Sequence, residues 1–282
     1  MRMTPEWEVH IATPSTLKTF LHAVRENNST PTFRVCKEDT FSGLRLNSIA
    51  VNHTVLVKAC YECAVTLVER DVAHFTVDAS VMSTLMHDVQ ASQVVVIAKY
   101  ATEDALRLRF VNTGASDTWS ESLLRLVEDE EYQEFPVLPL NFTYQVELST
   151  EHLKAVCRVV KALHTSNIEF AMKKGEDNFN VFELRTRCDG ATVSKMFHCT
   201  QSEDKEGFRV VTREAEEGVD VAQMEDVLCL RFSAAYISTI VKHMDRKTVM
   251  LYLGPESPLL LHYGLGGDQS YIDVIMAPIS DE

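Results

Sequence analysis

Residues Glu151–His164 read EHLKAVCRVVKALH. Leu153, Val156, Val160 and Leu163 recur at helical spacing, and Lys154, Arg158 and Lys161 form a stripe on the other side. Ser15–Arg25, STLKTFLHAVR, is built the same way, with Leu17, Phe20, Leu21 and Val24 apolar and Lys18, His22 and Arg25 basic. The spacing predicts two amphipathic helices. A basic stripe on one solvated helix is ordinary surface. Two of them in a chain of net charge −14 imply that something anionic faces these helices.

Around these helices the chain repeats an order of elements. In the first half, Trp7–Thr13 alternates as a strand and Pro14-Ser15 opens the helix. Val35–Val68 is a succession of short strands with a turn at Asp39–Gly43. Val81–Val89 (VMSTLMHDV) has helical spacing, and Gln93–Lys99 and Ala105–Val111 make a hairpin. In the second half, Phe142–Leu148 is a strand and Ser149-Thr150 caps the second basic helix, with Glu151 in its first turn. More strands follow. Tyr236–Met244 (YISTIVKHM) lines up with Val81–Val89, and Thr248–Leu253 and Leu259–Tyr263 form the matching hairpin. The expected fold class is α+β: two copies of one β-rich domain with two helices each. The first copy spans 1–125 and the second 141–282. Between them 126–140 is acidic and aperiodic with two prolines, the composition of an extended connector. Phe135, Val137 and Leu138 are too apolar for a free coil, so the connector is expected to lie on the body and help form a groove.

Composition bounds the function. A length of 282 residues suits two domains, and 45% hydrophobic with 24% charged residues is ordinary for a globular protein. No run reaches the ~18 apolar residues a membrane span needs, and MRMTPEWEVH has no apolar segment of the secretory kind. The expected compartment is the cytosol or nucleus. Seven cysteines form no even framework. Cys60 and Cys63 make a CxxC inside a strand-like run, where i and i+3 point to opposite faces; they read as reduced, structural thiols. No zinc spacing, glycine-rich phosphate loop or GxSxG occurs, and Gly264–Gly267 fits a hairpin. No catalysis, metal or cofactor is expected.

The four helical segments together hold six cations, Lys18, Arg25, Lys154, Arg158, Lys161 and Lys242, against two acids, Asp88 and Glu151. Positive charge is thus segregated onto helices while strands and loops are strongly negative. Such a protein cannot hold DNA with its outside, but it can with one enclosed helical surface. Lysine and arginine on phosphates carry no sequence information and permit sliding, and the aromatic platform of single-strand binders is missing.

Four stretches resemble the DNA sliding clamps of the proliferating cell nuclear antigen family, and the similarity runs from Trp7 to Glu282. WEVHIATPSTLKTFLHAVRE is similar to that family's opening strand and first helix, and FSGLRLNSIAVNHTVLVKA to the segment holding its central loop. HLKAVCRVV is similar to the third helix, and LRFSAAYISTIVKHM, SPLLLHY and DVIMAPISDE to the last helix, hairpin and acidic tail. Two departures are visible. Val81–Gln90 has no Lys or Arg, only His87, and Ile279 stands where a basic residue commonly follows the proline.

The resemblance implies a homotrimeric ring of six domains, with the helices and their six cations lining a channel around double-stranded DNA. It also implies a processivity factor without catalysis, placed on DNA by a clamp loader in the nucleus or at a viral replication site. DNA polymerase and repair enzymes would dock through short peptides. The implied groove comprises Ile49, His53 and Leu56 from the central loop, Phe135 and Val137 from the connector, Pro258 from the last hairpin, and Ala277, Pro278 and Ile279 from the tail. Subunits would join by pairing edge strands, Thr118–Leu126 with Thr192–Thr200, with Trp119 and Leu124 at the contact. Two alternatives share the chemistry: a subunit of a heterotrimeric checkpoint clamp, and a viral processivity factor of another oligomeric state.

Overall fold

The computed structural model describes residues 4–50, 54–68, 72–113, 118–127, 132–135, 140, 142–174, 180–204, 207–214 and 225–280; of Asn27, Asn180, 199–204, 207–214 and Glu225 it describes the backbone. Two compact units result, Met1–Pro136 with Gly264–Asp273, and Val137–Tyr263 with Val274–Glu282.

The first part of the chain runs β1 (Trp7–Ile11), α1 (Pro14–Asn27), β2 (Thr32–Lys37), β3 (Ser42–Ile49), β4 (Val55–Glu62), β5 (Ala64–Leu67), β6 (Val72–Thr76), α2 (Ala79–Leu85), β7 (Gln93–Lys99), β8 (Ala105–Asn112) and β9 (Trp119–Arg125). The rest runs β10 (Tyr144–Ser149), α3 (Thr150–Ala162), β11 (Asn167–Lys174), β12 (Asn180–Cys188), β13 (Ala191–Asp204), β14 (Gly207–Glu214), β15 (Glu225–Ser233), α4 (Ala234–Val241), β16 (Thr248–Leu253), β17 (Leu259–Gly264) and β18 (Tyr271–Met276). The order is the same in both: strand, helix, five strands, helix, three strands. The class is α+β with mostly antiparallel sheets.

In the first unit one sheet has the order β5-β1-β7-β8-β9, and β4-β3-β2-β6 pair beside one another, all antiparallel. β5 continues β4 past Cys63, so one run of chain serves both sets of strands. In the second unit the order is β15-β11-β12-β13-β14-β10-β16-β17. Here β14 returns from β13 as a hairpin and therefore meets β10 in parallel, where β5 meets β1 antiparallel.

The apolar stripe of α1 is wholly buried: Leu17, Phe20, Leu21 and Val24 expose nothing. Phe20 lies against Phe33 and Tyr61, and Phe33 stacks on Phe75, which stacks on Trp7. The Tyr61 hydroxyl donates to the Thr13 carbonyl (3.1 Å), fixing the start of the helix. In the second unit Leu153, Val156 and Val160 of α3 are buried, and Phe182 sits between Phe170 and Phe197. Pro14 opens α1 as expected, whereas Ser149 stands at the N-cap of α3 without a side-chain hydrogen bond. The second helix starts two residues earlier than its apolar spacing suggests, because the Asp78 carboxylate accepts from the Ser80 and Val81 amides (2.8 and 3.0 Å). It ends at Leu85, and turns carry the chain onward.

Gly43 is required by a close backbone approach: a Cβ there would lie 2.1 Å from the Tyr61 carbonyl oxygen. The segment Gly264–Asp273 completes the first unit. The Glu62 amide donates to Ser270 Oγ (2.9 Å), and Tyr271 hydrogen-bonds the Cys60 thiol.

A charged network covers the face of β11, β12 and β15 opposite the phenylalanines. Arg185 binds Glu169, Glu183 (3.4 Å) and Asp226 (2.9 Å), and Lys173 bridges Glu183 and Asp226 (3.3 Å each). Arg187 and Arg231 also reach Glu169. Glu169 and Glu183 are buried. Burial pushes the Asp226 carboxyl up, but the hydrogen bonds and charges of Arg185 and Lys173 outweigh it and hold it below the usual carboxylate range. A group depressed on folding stabilises above its unfolded pKa, ~3.9 for aspartate. That stability is expected to be lost as pH falls through the lower folded value. Acid melting of the wild type against Asp226→Asn checks this: the variant should show a shallower loss of stability below about pH 4.

Candidate nucleic-acid interface

Lys154, Arg158 and Lys161 follow at intervals of four and three along α3, which places them on one stripe. α3 packs against α4, and Lys242 sits at the C-cap of α4. The four cations thereby line one groove of about 470 Å³, whose other walls include Ser238, Thr239, Cys157 and Val241. Arg158, Lys161 and Lys242 are exposed, and Lys154 is half-buried with Glu151 at 3.2 Å. Burial pushes the Cys157 thiol up against the opposing hydrogen bond with Ser238, so it stays protonated at neutral pH. Such a groove can accept phosphates through Lys and Arg and through two hydroxyls, without reading bases.

The first unit treats its cations differently. The Lys18 ammonium donates to the carbonyls of His87 and Val89, both at 2.7 Å. Arg25 pairs with Glu26 at 3.0 Å.

Of the expected groove residues, Ile49 and Leu56 are half-buried cross-strand partners at the end of the β3–β4 hairpin. Phe135 and Pro258 are half-buried, and Ala277, Pro278 and Ile279 are exposed. The Ile279 amide donates to the Arg231 carbonyl (2.7 Å), tying the tail to β15. His53 and Val137 lie outside the described residues. The connector is held to the first unit by a residue the sequence reading passed over: Tyr132 stacks on His74 (5.4 Å), with the Arg34 guanidinium over its ring. Burial pushes the Tyr132 phenol up to about 12.

The expected edge strands are corrected in two respects. Leu124 is 2% exposed and belongs to the core, because it faces inward with its partner Leu106; the outward residues of β9 are Trp119 and Leu123, 61% and 63% exposed. In β13, residues 197–204 pair with β14, and among the described residues the stretch 191–196 pairs with β12 alone. Beside it α3 and β12 enclose an apolar hollow of about 200 Å³ lined by Ala155, Val159, Leu184 and Val193. Among the described residues β9 pairs with β8 alone.

The CxxC thiols are free, and burial raises both, Cys63 to about 12. Neither is poised as a nucleophile at neutral pH. No protein-family model and no curated protein matches the chain.

Proposed function

We propose that this chain is the subunit of a DNA sliding clamp, a processivity factor that encircles duplex DNA and tethers replication and repair enzymes. The observation that carries this reading is the four-cation groove between α3 and α4 in a chain of net charge −14. Charge of that sign repels DNA from most of the surface, so a basic helical groove is of use where DNA is enclosed rather than captured from outside. The identical order of elements supports two copies of one domain per chain, and three chains then make six domains. β9 of one copy pairs with 191–196 of β13 in the next, a heterologous contact that closes into a ring.

On this reading Ile49 and Leu56 of the first unit, and Pro258 and Ala277–Ile279 of the second, take part in holding partner peptides. A short apolar peptide should bind with micromolar Kd, sufficient once the ring is on DNA because tethering raises the effective concentration. Calorimetry with a clamp-binding peptide checks the assignment: Ile49→Ala and Pro278→Ala should each weaken binding about fivefold, on the order of 1 kcal/mol. Unchanged affinity in both would place the peptide elsewhere. Light scattering tests the whole proposal, since a clamp must elute as three copies of the 31.8 kDa chain. A monomer at micromolar concentration would rule out a self-closing ring.

A further inference from the structure

We propose that the phosphate grip of this chain is confined to the α3–α4 groove, and that Lys18, although it sits on the basic stripe of α1, is a structural clip. The inference rests on the clamp reading and narrows it: each copy holds DNA through one of its two helix pairs.

Lys18 has three N–H groups, and two of them are engaged. Its ammonium donates to the His87 and Val89 carbonyls at 2.7 Å each, tying α1 to the turns that follow α2. A phosphate would be left one N–H of a cation already held in place by two charge-assisted bonds. The rest of that helix pair is no more favourable. α2 and its following turns contribute no Lys or Arg, and Asp88 stands there, hydrogen-bonded to the His87 ring at 2.8 Å. Arg25 is already beside Glu26.

The α3–α4 groove differs at three of its four cations; Lys154 is paired, with Glu151 at 3.2 Å. Among the described residues Arg158, Lys161 and Lys242 have no carboxylate within ion-pair distance, and all three are exposed. Ser238 and Thr239 add hydroxyls that can donate to phosphate oxygens between the cations. The ligand this chemistry takes is the phosphodiester backbone of a duplex, held without regard to sequence.

The test is the salt dependence of binding to a labelled short duplex, read by fluorescence anisotropy, together with thermal melting. Each lost phosphate contact lowers the slope of log K against log salt by about 0.9. Lys154→Gln/Arg158→Gln/Lys161→Gln/Lys242→Gln should therefore flatten it by roughly 3 to 4. Lys18→Met should leave the slope unchanged and lower the melting midpoint by about 2–4 °C. Should the quadruple variant not fold, Lys161→Gln/Lys242→Gln gives the same reading at about half the size. A slope that falls by about 0.9 in Lys18→Met with no loss of melting temperature would overturn the inference and leave the clamp reading standing. An unaltered slope in a folded groove variant would also overturn it. A wild-type chain that does not bind the duplex even at low salt would overturn both.

Discussion

Replacing Trp119 and Leu123 together by glutamate should turn a trimer of this chain into folded monomers. Both side chains lie on the outward face of β9, and both are more than three-fifths exposed, so the subunit loses little when they change. In the ring they would be withdrawn from water beside residues 191–196 of β13 and the apolar hollow at Val193. Each large apolar side chain so buried contributes about 1.5–3 kcal/mol. Losing two raises the concentration at which subunits separate by roughly 100-fold or more, and the new charges oppose strand pairing further. Light scattering across a dilution series reads the outcome directly. Trimers that withstand dilution as the wild type does would remove β9 from the interface. Substituting proline at the neighbouring Leu124 would be uninformative, because that side chain is in the core and its loss would unfold the subunit.

Arg185→Met should cost about 3–5 kcal/mol of stability, the usual result of removing one partner from a buried ionic group. The guanidinium touches Glu169, Glu183 and Asp226, and the first two carboxylates have almost no access to water. Methionine fills similar space, removes the closest counter-charge of Glu169 and leaves Glu183 to Lys173. Chemical denaturation should show the midpoint falling sharply, while Arg187→Met, at a guanidinium mostly in solvent, should change little. Equal effects from the two would mean that the network is surface decoration.

The sequence carried the helices and hairpins well, because their signals are local. The stripe Leu17, Phe20, Leu21 and Val24 needs only its own spacing to be read as a buried face. The hairpins at 93–111 and 248–263 follow from alternation and a polar turn. What went astray depended on register or on distant partners. Leu123 and Leu124 are adjacent and alike, and only the pairing of Leu124 with Leu106 decides which faces inward. Glu169, Glu183 and Arg185 alternate with apolar residues as solvent-facing residues do, and nothing local shows that they are buried against one another. The cap at Asp78 was legible from residue type but was masked by the stronger apolar spacing after it. Lys18 and Lys154 look equivalent along the chain. Their difference lies in the carbonyls of His87 and Val89, some seventy positions from Lys18.

The membership of Gly264–Asp273 in the first unit bears on how the molecule is made. A chain leaves the ribosome N-terminus first, and domains generally fold as they emerge. Here β3 and β4 are synthesised early, yet the Glu62 amide and the Cys60 thiol wait for Ser270 and Tyr271. The first unit therefore cannot reach its final form until residue 273 has been made, by which time the helices and all but the last strand of the second unit have been translated. Birth order and completion order run in opposite directions, and a nascent chain halted before that point should present an unfinished first unit to chaperones.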